Sequence, residues 1–283
     1  MNEVELGHAI QAARKKIGLT QQELCQKTGI SYSTLAKIER GAIKSPSVFT
    51  VVNIAAICGL TVEELASSST SHGMVSPGRD YKQAKNGIQF VYFDINGCMV
   101  RYFQAAFTSI ASDFCVTPEM VEGIFWHYND AVCRGDISLD EFNKRLAERI
   151  GAPSIDWNKY YLDAVQPIKE AQEALSWASQ SFKVGLLTNI MSGQIDSLLQ
   201  NGLLPKVDYD AIVDSSKVGV IKPEAHIYDL AAKQAGVKPE NILLVDDSRA
   251  NLMAAEKMGW HSLWFDDFRP TESINKLKEL LEI

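Results

Sequence analysis

The chain has 283 residues, of which 46% are hydrophobic and 22% charged, so it is long enough for two domains that each bury a core. It contains no apolar run of about 18 residues and no basic, apolar leader, which predicts neither a membrane span nor a signal peptide. Its net charge of −7 is unevenly divided, because residues 1–66 carry seven basic and six acidic residues and the remainder carries 21 and 29. The acidic remainder disfavours broad nucleic-acid binding there, and five scattered cysteines predict free thiols in a cytoplasmic protein.

The first 66 residues read as a small all-α domain. Thr20 with Glu23 forms a capping-box pattern, Gly29 is a helix stop, and Ser31 is a suitable N-cap for the next helix. A helix, a tight turn and a second helix can place one helix in the major groove of DNA. The predicted helices cover about residues 4–17, 20–29, 31–41, 47–58 and 61–65. The predicted core consists of Leu24, Ile30, Leu35, Ile38, Val51, Ile54 and Ala55.

The stretch LTQQELCQKTGISYSTLAKIERG resembles the lambda-repressor-like (Xre-type) helix-turn-helix family, and the resemblance covers about residues 6–66. It implies double-stranded DNA as a partner, a pairing of Arg14 with Glu39 that is structural, and dimerisation. The weak charge balance of +1 leaves open a protein-interaction module of the same shape, since neutralised phosphates supply much of DNA affinity. The implied base contacts are Tyr32, Ser33 and Lys37, and the implied phosphate contacts are Gln21, Arg40 and Lys44.

A Ser-, Gly- and Pro-containing linker at residues 67–87 precedes a larger domain at 88–283. Three short apolar runs in that domain end in polar residues, and helical patterns lie between them. This alternation predicts an α/β fold with a doubly wound parallel sheet. The stretch at about 98–181 has amphipathic helical patterns and reads as a helical insertion. The three apolar runs lie at 88–94, 182–188 and 242–246.

The ends of these runs carry a set of residues suited to phosphoryl transfer. Ligands bind at the carboxyl ends of parallel strands, where Asp94 could serve as a nucleophile or a magnesium ligand. Lys222 could keep that carboxylate ionised and balance phosphate charge. The adjacent acids Asp246 and Asp247 are costly together unless a cation lies between them. The hydroxyl of Thr188, with neighbouring backbone N–H groups, suits a phosphate oxygen.

The segments FDINGCMV, LLTN, GVIKPEAHIY and LLVDDSRANLMAAEKMG resemble the four motifs of the haloacid dehalogenase superfamily, over about residues 88–270. They are close to the branch that carries a helical cap between the first two motifs. The resemblance implies an aspartyl phosphate on Asp94 and a small phosphorylated metabolite as substrate. The implied magnesium ligands are Asp94, the backbone carbonyl of Asn96, Asp246 and Asp247. The implied phosphate-binding residues are Thr188, Asn189 and Lys222.

Asn96 departs from the family pattern, because phosphatases of the family usually carry an Asp there as general acid and base. An amide cannot exchange a proton at neutral pH, and general acid–base help is typically worth about 10²–10⁴-fold. The sequence therefore leaves open a phosphatase, or a transcriptional regulator whose second domain is a weakly active or inactive phospho-ligand sensor. A dehalogenase is disfavoured, since those relatives lack the paired acids. Candidate substrate contacts in the cap are Trp126, His127, Arg134 and Trp157.

Overall fold

The computed structural model describes residues 3–17, 19–40, 43, 46–60 and 81–282. The chain divides into two compact units, Met1–Met74 and Val75–Ile283. The predicted helix at 61–65 and most of the predicted linker lie outside the described residues. None of the helices in the described ranges is long and apolar enough to cross a membrane.

The described residues of the first unit form helices joined by short turns, as predicted. The side-chain oxygen of Thr20 accepts from the Glu23 N–H at 3.2 Å, and the Glu23 carboxylate accepts from the Thr20 N–H at 2.7 Å, which confirms the capping box. Gly29 ends the second helix at φ +72°, a left-handed conformation that favours glycine, and the Ser31 hydroxyl caps the third. The predicted core residues are buried, apart from Ile30, which is partly buried against them. The helices are α1 (Glu3–Lys16), α2 (Gln21–Thr28), α3 (Tyr32–Glu39) and α4 (Val48–Ile57).

The second unit contains a five-stranded parallel sheet in the order β3-β2-β1-β4-β5. The strands are β1 (Phe90–Phe93), β2 (Lys183–Thr188), β3 (Ala211–Asp214), β4 (Ile242–Asp246) and β5 (His261–Trp264). Side chains of β1 alternate between two apolar cores, with Val91 and Phe93 in one and Phe90 and Tyr92 in the other. Helices therefore cover both faces of the sheet, which confirms the predicted doubly wound α/β class.

The helices of the second unit fall into an inserted cap and the layers that flank the sheet. The cap helices are α5 (Gln104–Phe114), α6 (Pro118–Arg134), α7 (Leu139–Ile150) and α8 (Trp157–Ala164). The other helices are α9 (Lys169–Ala178), α10 (Gln194–Gln200), α11 (Ser215–Val218), α12 (Ala225–Ala235), α13 (Arg249–Lys257) and α14 (Pro270–Leu280), with a 3₁₀ turn at Pro239–Asn241. Helix α9 lies inside the predicted insertion, but it packs against α14 and β2 and so belongs to the sheet-flanking layer.

Residues 81–87, which the composition assigns to the linker, pack against the α/β unit. The Lys82 N–H donates to the Ser181 carbonyl at 2.7 Å, and the Lys85 N–H donates to the Glu282 carbonyl at 2.9 Å. The Ala84 side chain is buried. This segment is therefore an ordered lead-in to β1.

Candidate functional site

The carboxyl ends of the three central strands meet at one edge of the sheet. Asp94 follows β1, Thr188 ends β2 and Asp246 ends β4. The Asp94 N–H donates to the Val245 carbonyl at 2.9 Å, which extends the pairing of β1 with β4 by one residue. The nucleophile predicted from the sequence is therefore held by backbone bonds at the position where open α/β sheets bind their ligands.

Lys222 lies between two carboxylates at this edge. Its Nζ is 3.1 Å from Asp94 Oδ1 and 2.5 Å from Asp246 Oδ2, and all three side chains are buried. Burial alone would lower the pKa of Lys222, but the two carboxylates outweigh burial and raise it, so the side chain is an ammonium. Asp246 is fixed further, because Asn251 Nδ2 donates to both of its oxygens at 3.1 Å and the Ser248 N–H donates to Oδ1 at 2.8 Å.

Three carboxylates form a group that fits a divalent cation. One ligand atom each from Asp94, Asp246 and Asp247 lies within 4.8 Å of the others. Burial raises the pKa of Asp94, and burial together with the charges of Asp94 and Asp246 raises the pKa of Asp247 to about 7. Since Lys222 supplies a single positive charge against three carboxylates, the ionised site carries a net charge that one divalent cation would neutralise. Gly97 has φ +81°, a left-handed conformation that favours glycine, and a Cβ there would also meet the Asp247 carboxylate.

Thr188 presents a buried hydroxyl to the same site. Its side chain lies close enough to Asp94 to help lower the pKa of that carboxyl group, but Thr188 Oγ1 has no well-formed hydrogen bond to any described residue. Leaving a buried hydroxyl unpaired costs about 1–3 kcal/mol. A phosphoryl oxygen beside Asp94 would give this hydroxyl the acceptor that it lacks, so the residue fits its predicted role.

Asn189, predicted to bind phosphate, uses its side chain to hold the Lys222 loop. Its Nδ2 donates to the Lys222 carbonyl at 2.8 Å, and its Oδ1 accepts from the Lys222 N–H at 2.7 Å. The amide therefore positions Lys222, and the phosphate contact of Asn189 stays a prediction that only its backbone N–H remains to make.

Asn96 is bound to the cap. Tyr161, on α8, donates its hydroxyl hydrogen to Asn96 Oδ1 at 2.8 Å. Burial and the nearby charge of Asp94 raise the pKa of Tyr161, which keeps the phenol protonated and able to donate. The residue at the usual acid–base position thus links the nucleophile loop to a cap helix.

A cavity of about 360 Å³ lies between the cap and the strand ends. Asp94, Asn96 and Asp247 line it on the sheet side. The cap side presents aromatic rings, which include the predicted contacts Trp126 and Trp157. The aromatic lining residues are Tyr102, Phe103, Phe125, Trp126, Trp157 and Tyr161.

The other two predicted cap contacts lie elsewhere. Arg134 binds Glu224 at 2.5 Å and pairs with Asp136 at 3.5 Å, so its guanidinium joins the end of α6 to the loop after Lys222. The ring of His127 packs edge-on against Tyr128 and does not line the cavity.

In the first unit, α3 exposes the side chains expected to read DNA bases. Tyr32, Ser33 and Lys37 are exposed on this helix, with Tyr32 55% exposed. Arg40, at the end of the helix, is also exposed, and its Nε donates to the Ala36 carbonyl at 3.0 Å. Lys44, the remaining predicted phosphate contact, lies outside the described residues.

Glu39 organises the interior behind this surface. Arg14 Nε and Nη2 donate to its two carboxylate oxygens at 2.7 and 2.9 Å, and the pair is buried, which confirms the predicted structural pairing. Gln21 Nε2 donates to Glu39 Oε2 at 2.7 Å. The Gln21 side chain therefore braces α2 against α3, and its phosphate contact stays a prediction.

Comparison with protein families matches both units. Residues 91–259 match the haloacid dehalogenase-like hydrolase family, over more than half of the chain. The chain belongs to this family. Residues 10–65 match a helix-turn-helix family, so the hydrolase domain is fused to a helix-turn-helix domain, as the sequence predicts.

Several relatives of the hydrolase domain have named activities. The chain is 24% identical over 210 residues to pyrimidine 5′-nucleotidase YjjG of Escherichia coli (strain K12), covering 69% of this chain and 92% of the relative. It is 29% identical over 106 residues to an (S)-2-haloacid dehalogenase of Pseudomonas fluorescens, covering 34% and 46%. The chain spans about half or less of the first curated relatives that it matches. A haloacid dehalogenase family enzyme from Bacteroides thetaiotaomicron, solved as a magnesium complex, shares the fold at 19% identity and a TM-score of 0.54, covering 64% and 94%.

Several residues of the hydrolase domain's site were not predicted from the sequence, and three of them place a polar side chain at the site. Asn251 binds both oxygens of Asp246, Tyr161 binds Asn96, and Gln194 lines the cavity. The sequence feature that could have identified Asn251 is its position in the first turn of α13, the helix that follows Asp246 and Asp247. The other two approach the site through tertiary packing and carry no local signature.

Proposed function

We propose that the haloacid dehalogenase-like domain is a magnesium-dependent phosphatase that acts on a small phosphorylated metabolite through an aspartyl phosphate. The observation that carries this proposal is the grouping of Asp94, Asp246 and Asp247 around Lys222, with the unpaired Thr188 hydroxyl beside them. The fused domain binds double-stranded DNA in a sequence-specific manner, and we include a dimeric form and a cytoplasmic location in the same proposal.

Asp94, Asp246, Asp247 and the backbone carbonyl of Asn96 would hold the magnesium ion. When bound, the ion supplies positive charge against the phosphoryl oxygens and the three carboxylates. The chain's own residues supply charge and orientation. Lys222 keeps Asp94 ionised, and Thr188 donates its hydroxyl hydrogen to a phosphoryl oxygen and so orients the phosphate.

The reaction has two displacements at phosphorus. In the first, a carboxylate oxygen of Asp94 forms a bond to phosphorus as the ester P–O bond breaks, and the leaving oxygen takes a proton from water, because the amide of Asn96 is not acidic enough to supply one. In the second, water attacks phosphorus, its proton passes to solvent, and the Asp94–phosphorus bond breaks. Inorganic phosphate leaves and Asp94 is regenerated.

The name of the E. coli relative supports phosphate-ester chemistry, and the names of the Pseudomonas relatives point to dehalogenation. The buried acidic residues favour the first. Displacement of a halide from carbon needs no divalent cation, whereas three neighbouring carboxylates facing a phosphate dianion need one to offset their mutual repulsion.

A second candidate function is a regulator in which the hydrolase-like domain senses a phosphorylated ligand and turns it over slowly or not at all. The observation that favours it is Asn96, whose side chain accepts a hydrogen bond from Tyr161 and cannot act as a base.

Turnover of a panel of sugar phosphates, nucleotides and aryl phosphates with magnesium tests the enzyme proposal. We expect Asp94→Asn to abolish release of phosphate, because the nucleophile is gone. The control is Asp229→Asn, the same chemical change at an exposed position on α12. Equal turnover by wild type and Asp94→Asn would refute the covalent route, and no turnover by wild type, with magnesium-dependent phosphate binding retained, would favour the sensor.

A further inference from the structure

The described residues that line the cavity above Asp94 include no side chain that could neutralise a second anion. Among the described residues that line it, none is Arg, Lys or His. Lys222 is committed to Asp94 and Asp246, and Arg134 is committed to Glu224 outside the cavity. A carboxylate or second phosphate on the substrate would therefore lose water without gaining a counter-charge, which is strongly unfavourable.

The charges that do line the cavity are negative. Asp130, near the end of α6, is exposed and lines the cavity beyond the three carboxylates of the metal group. It would repel an anionic leaving group. The electrostatics of this cavity thus select a substrate whose negative charge is confined to the reacting phosphate.

The cap wall supplies flat apolar surface. Tyr102 and Trp126 have rings within 14° of parallel, with centroids 6.3 Å apart, and Trp126 is 47% exposed. Phe125 and Trp157 lie deeper, with centroids 4.7 Å apart. Aromatic walls of this kind favour planar ligands, which gain stacking or edge-to-face contacts in addition to burial of apolar area.

One buried donor faces the same cavity without a partner. Gln194 is 3% exposed, its Oε1 accepts from the Met191 N–H at 3.2 Å, and its Nε2 has no hydrogen-bond partner among the described residues. Because the Met191 N–H needs an acceptor, the orientation of the amide is fixed and the NH₂ group is the free end. A neutral acceptor on the ligand would satisfy this donor.

We infer that the substrate is a phosphate monoester whose leaving group is an uncharged aromatic or heteroaromatic group with a hydrogen-bond acceptor for Gln194. Bisphosphates, nucleoside di- and triphosphates and phosphate esters that carry a free carboxylate are excluded. This inference rests on the proposed function and defines the substrate class of that site.

Binding to full-length Asp94→Asn with magnesium, measured by calorimetry, separates this inference from turnover. The ligands are phenyl phosphate, cyclohexyl phosphate and 4-carboxyphenyl phosphate, with inorganic phosphate as the reference. We expect phenyl phosphate to bind about 3–10-fold tighter than cyclohexyl phosphate, from aromatic contacts. We expect it to bind at least about 10-fold tighter than the carboxylated ligand, from the unpaired charge.

Two charge-reversal variants identify the origin of the discrimination. In the Asp94→Asn background, Asp130→Lys should bring the affinity of 4-carboxyphenyl phosphate about 5–10-fold closer to that of phenyl phosphate, since it places a cation at the cavity. Asp163→Lys makes the same charge change at an exposed cap position that does not line the cavity, and it should leave the ratio as it was.

The role of Gln194 has its own comparison. Pyridin-3-yl phosphate has the shape of phenyl phosphate and adds a ring acceptor, so it should bind about 3–10-fold tighter, as one hydrogen bond provides. Gln194→Leu should reduce that ratio to about one. A ratio that persists in Gln194→Leu would overturn the assignment of its NH₂ group.

The outcomes of the ligand series are distinct. Equal affinity for all three organic phosphates, or tighter binding of the carboxylated one, would overturn the inferred substrate class while leaving magnesium-dependent phosphate binding intact. Absence of magnesium-dependent binding of inorganic phosphate to the wild-type protein would overturn the proposed function itself, and this inference with it.

Discussion

Replacing Asn96 by Asp tests what limits turnover at this site. Asp94 can attack a phosphate that has a good leaving group without proton donation, but breakdown of the aspartyl phosphate needs an activated water. We therefore expect the natural protein to use acyl phosphates and acidic aryl phosphates better than alkyl phosphates. A carboxylate at position 96 would supply the missing base, and general base catalysis is typically worth about 10²–10⁴-fold.

The hydrogen bond from Tyr161 moderates this gain. The Tyr161 hydroxyl oxygen lies 2.8 Å from Asn96 Oδ1, and in Asn96→Asp a carboxylate oxygen would take the place of Oδ1. A hydrogen bond to a charged acceptor is worth about 1.5–3 kcal/mol, which corresponds to a lowering of the carboxyl pKa by roughly one to two units. A base with a lowered pKa is weaker, so we expect Asn96→Asp to raise steady-state turnover by at least about ten-fold, and by less than the upper end of the range of about 10²–10⁴-fold that is typical of base catalysis.

The double variant Asn96→Asp/Tyr161→Phe removes that bond. The pKa of the introduced carboxyl group should rise, and since the base acts when ionised, the acidic limb of the pH–rate profile should move up by about one unit. Asn129→Asp is the control, because it also adds a carboxylate to the cavity lining, at a position to which the Tyr161 hydroxyl does not donate.

Rapid-quench labelling and steady-state phosphate release measure the two steps separately. Phosphorylated protein should accumulate in the wild type and decline in Asn96→Asp. Equal rates in the two proteins, with no phosphorylated protein trapped in either, would show that position 96 does not control the chemistry and that another group serves as base.

Three further predictions concern the metal and DNA. Asp247→Ala should remove magnesium affinity in calorimetry, and equal heats in both proteins would exclude the acidic pair as the metal site. Because the pKa of Asp247 is raised to about 7, the folded protein without metal binds more protons than the unfolded chain between about pH 4 and 7, so its stability falls as pH rises through that range. Magnesium should therefore raise Tm more at pH 8 than at pH 5, and an equal gain in scanning fluorimetry would contradict this. Lys37→Ala and Ser33→Ala should change the DNA sequence preference, whereas Lys44→Ala should weaken all sequences about equally; absence of salt-sensitive binding in a duplex selection would favour the protein-interaction module.

The central strands could be predicted from the sequence because they are buried on both faces. β1, β2 and β4 consist almost entirely of buried residues, so each reads as a continuous apolar run. The edge strands β3 and β5 were not predicted, since each has four residues and includes a large side chain that is 38% exposed, Ile212 and Trp264. Short, partly exposed strands resemble loops in the sequence, and their pairing is set by neighbours distant in the chain.

The same distinction applies to the site. Asp94, Thr188 and Asp246 could be found because each sits at or immediately after the end of a recognisable strand, and strand ends converge in any parallel sheet. Their partners depend on long-range packing. Tyr161 is 65 residues from Asn96, and its hydrophobic surroundings predict burial without predicting which polar atom its hydroxyl meets.

The aromatic cap shows why burial alone does not identify a ligand-binding wall. Trp157 is 1% exposed and packs against Phe103 and Phe125 like an ordinary core residue, and it also lines the cavity. Hydrophobic periodicity reports that a side chain is removed from water, and it does not report whether the space beside it is filled by protein or left for a ligand. The absence of Arg, Lys and His from the described cavity lining becomes visible only once all of its walls are assembled. For this reason the motifs would specify the reacting group, while the cap wall, whose lining residues come from α6, α8 and the segment before α5, would determine what that group can be attached to.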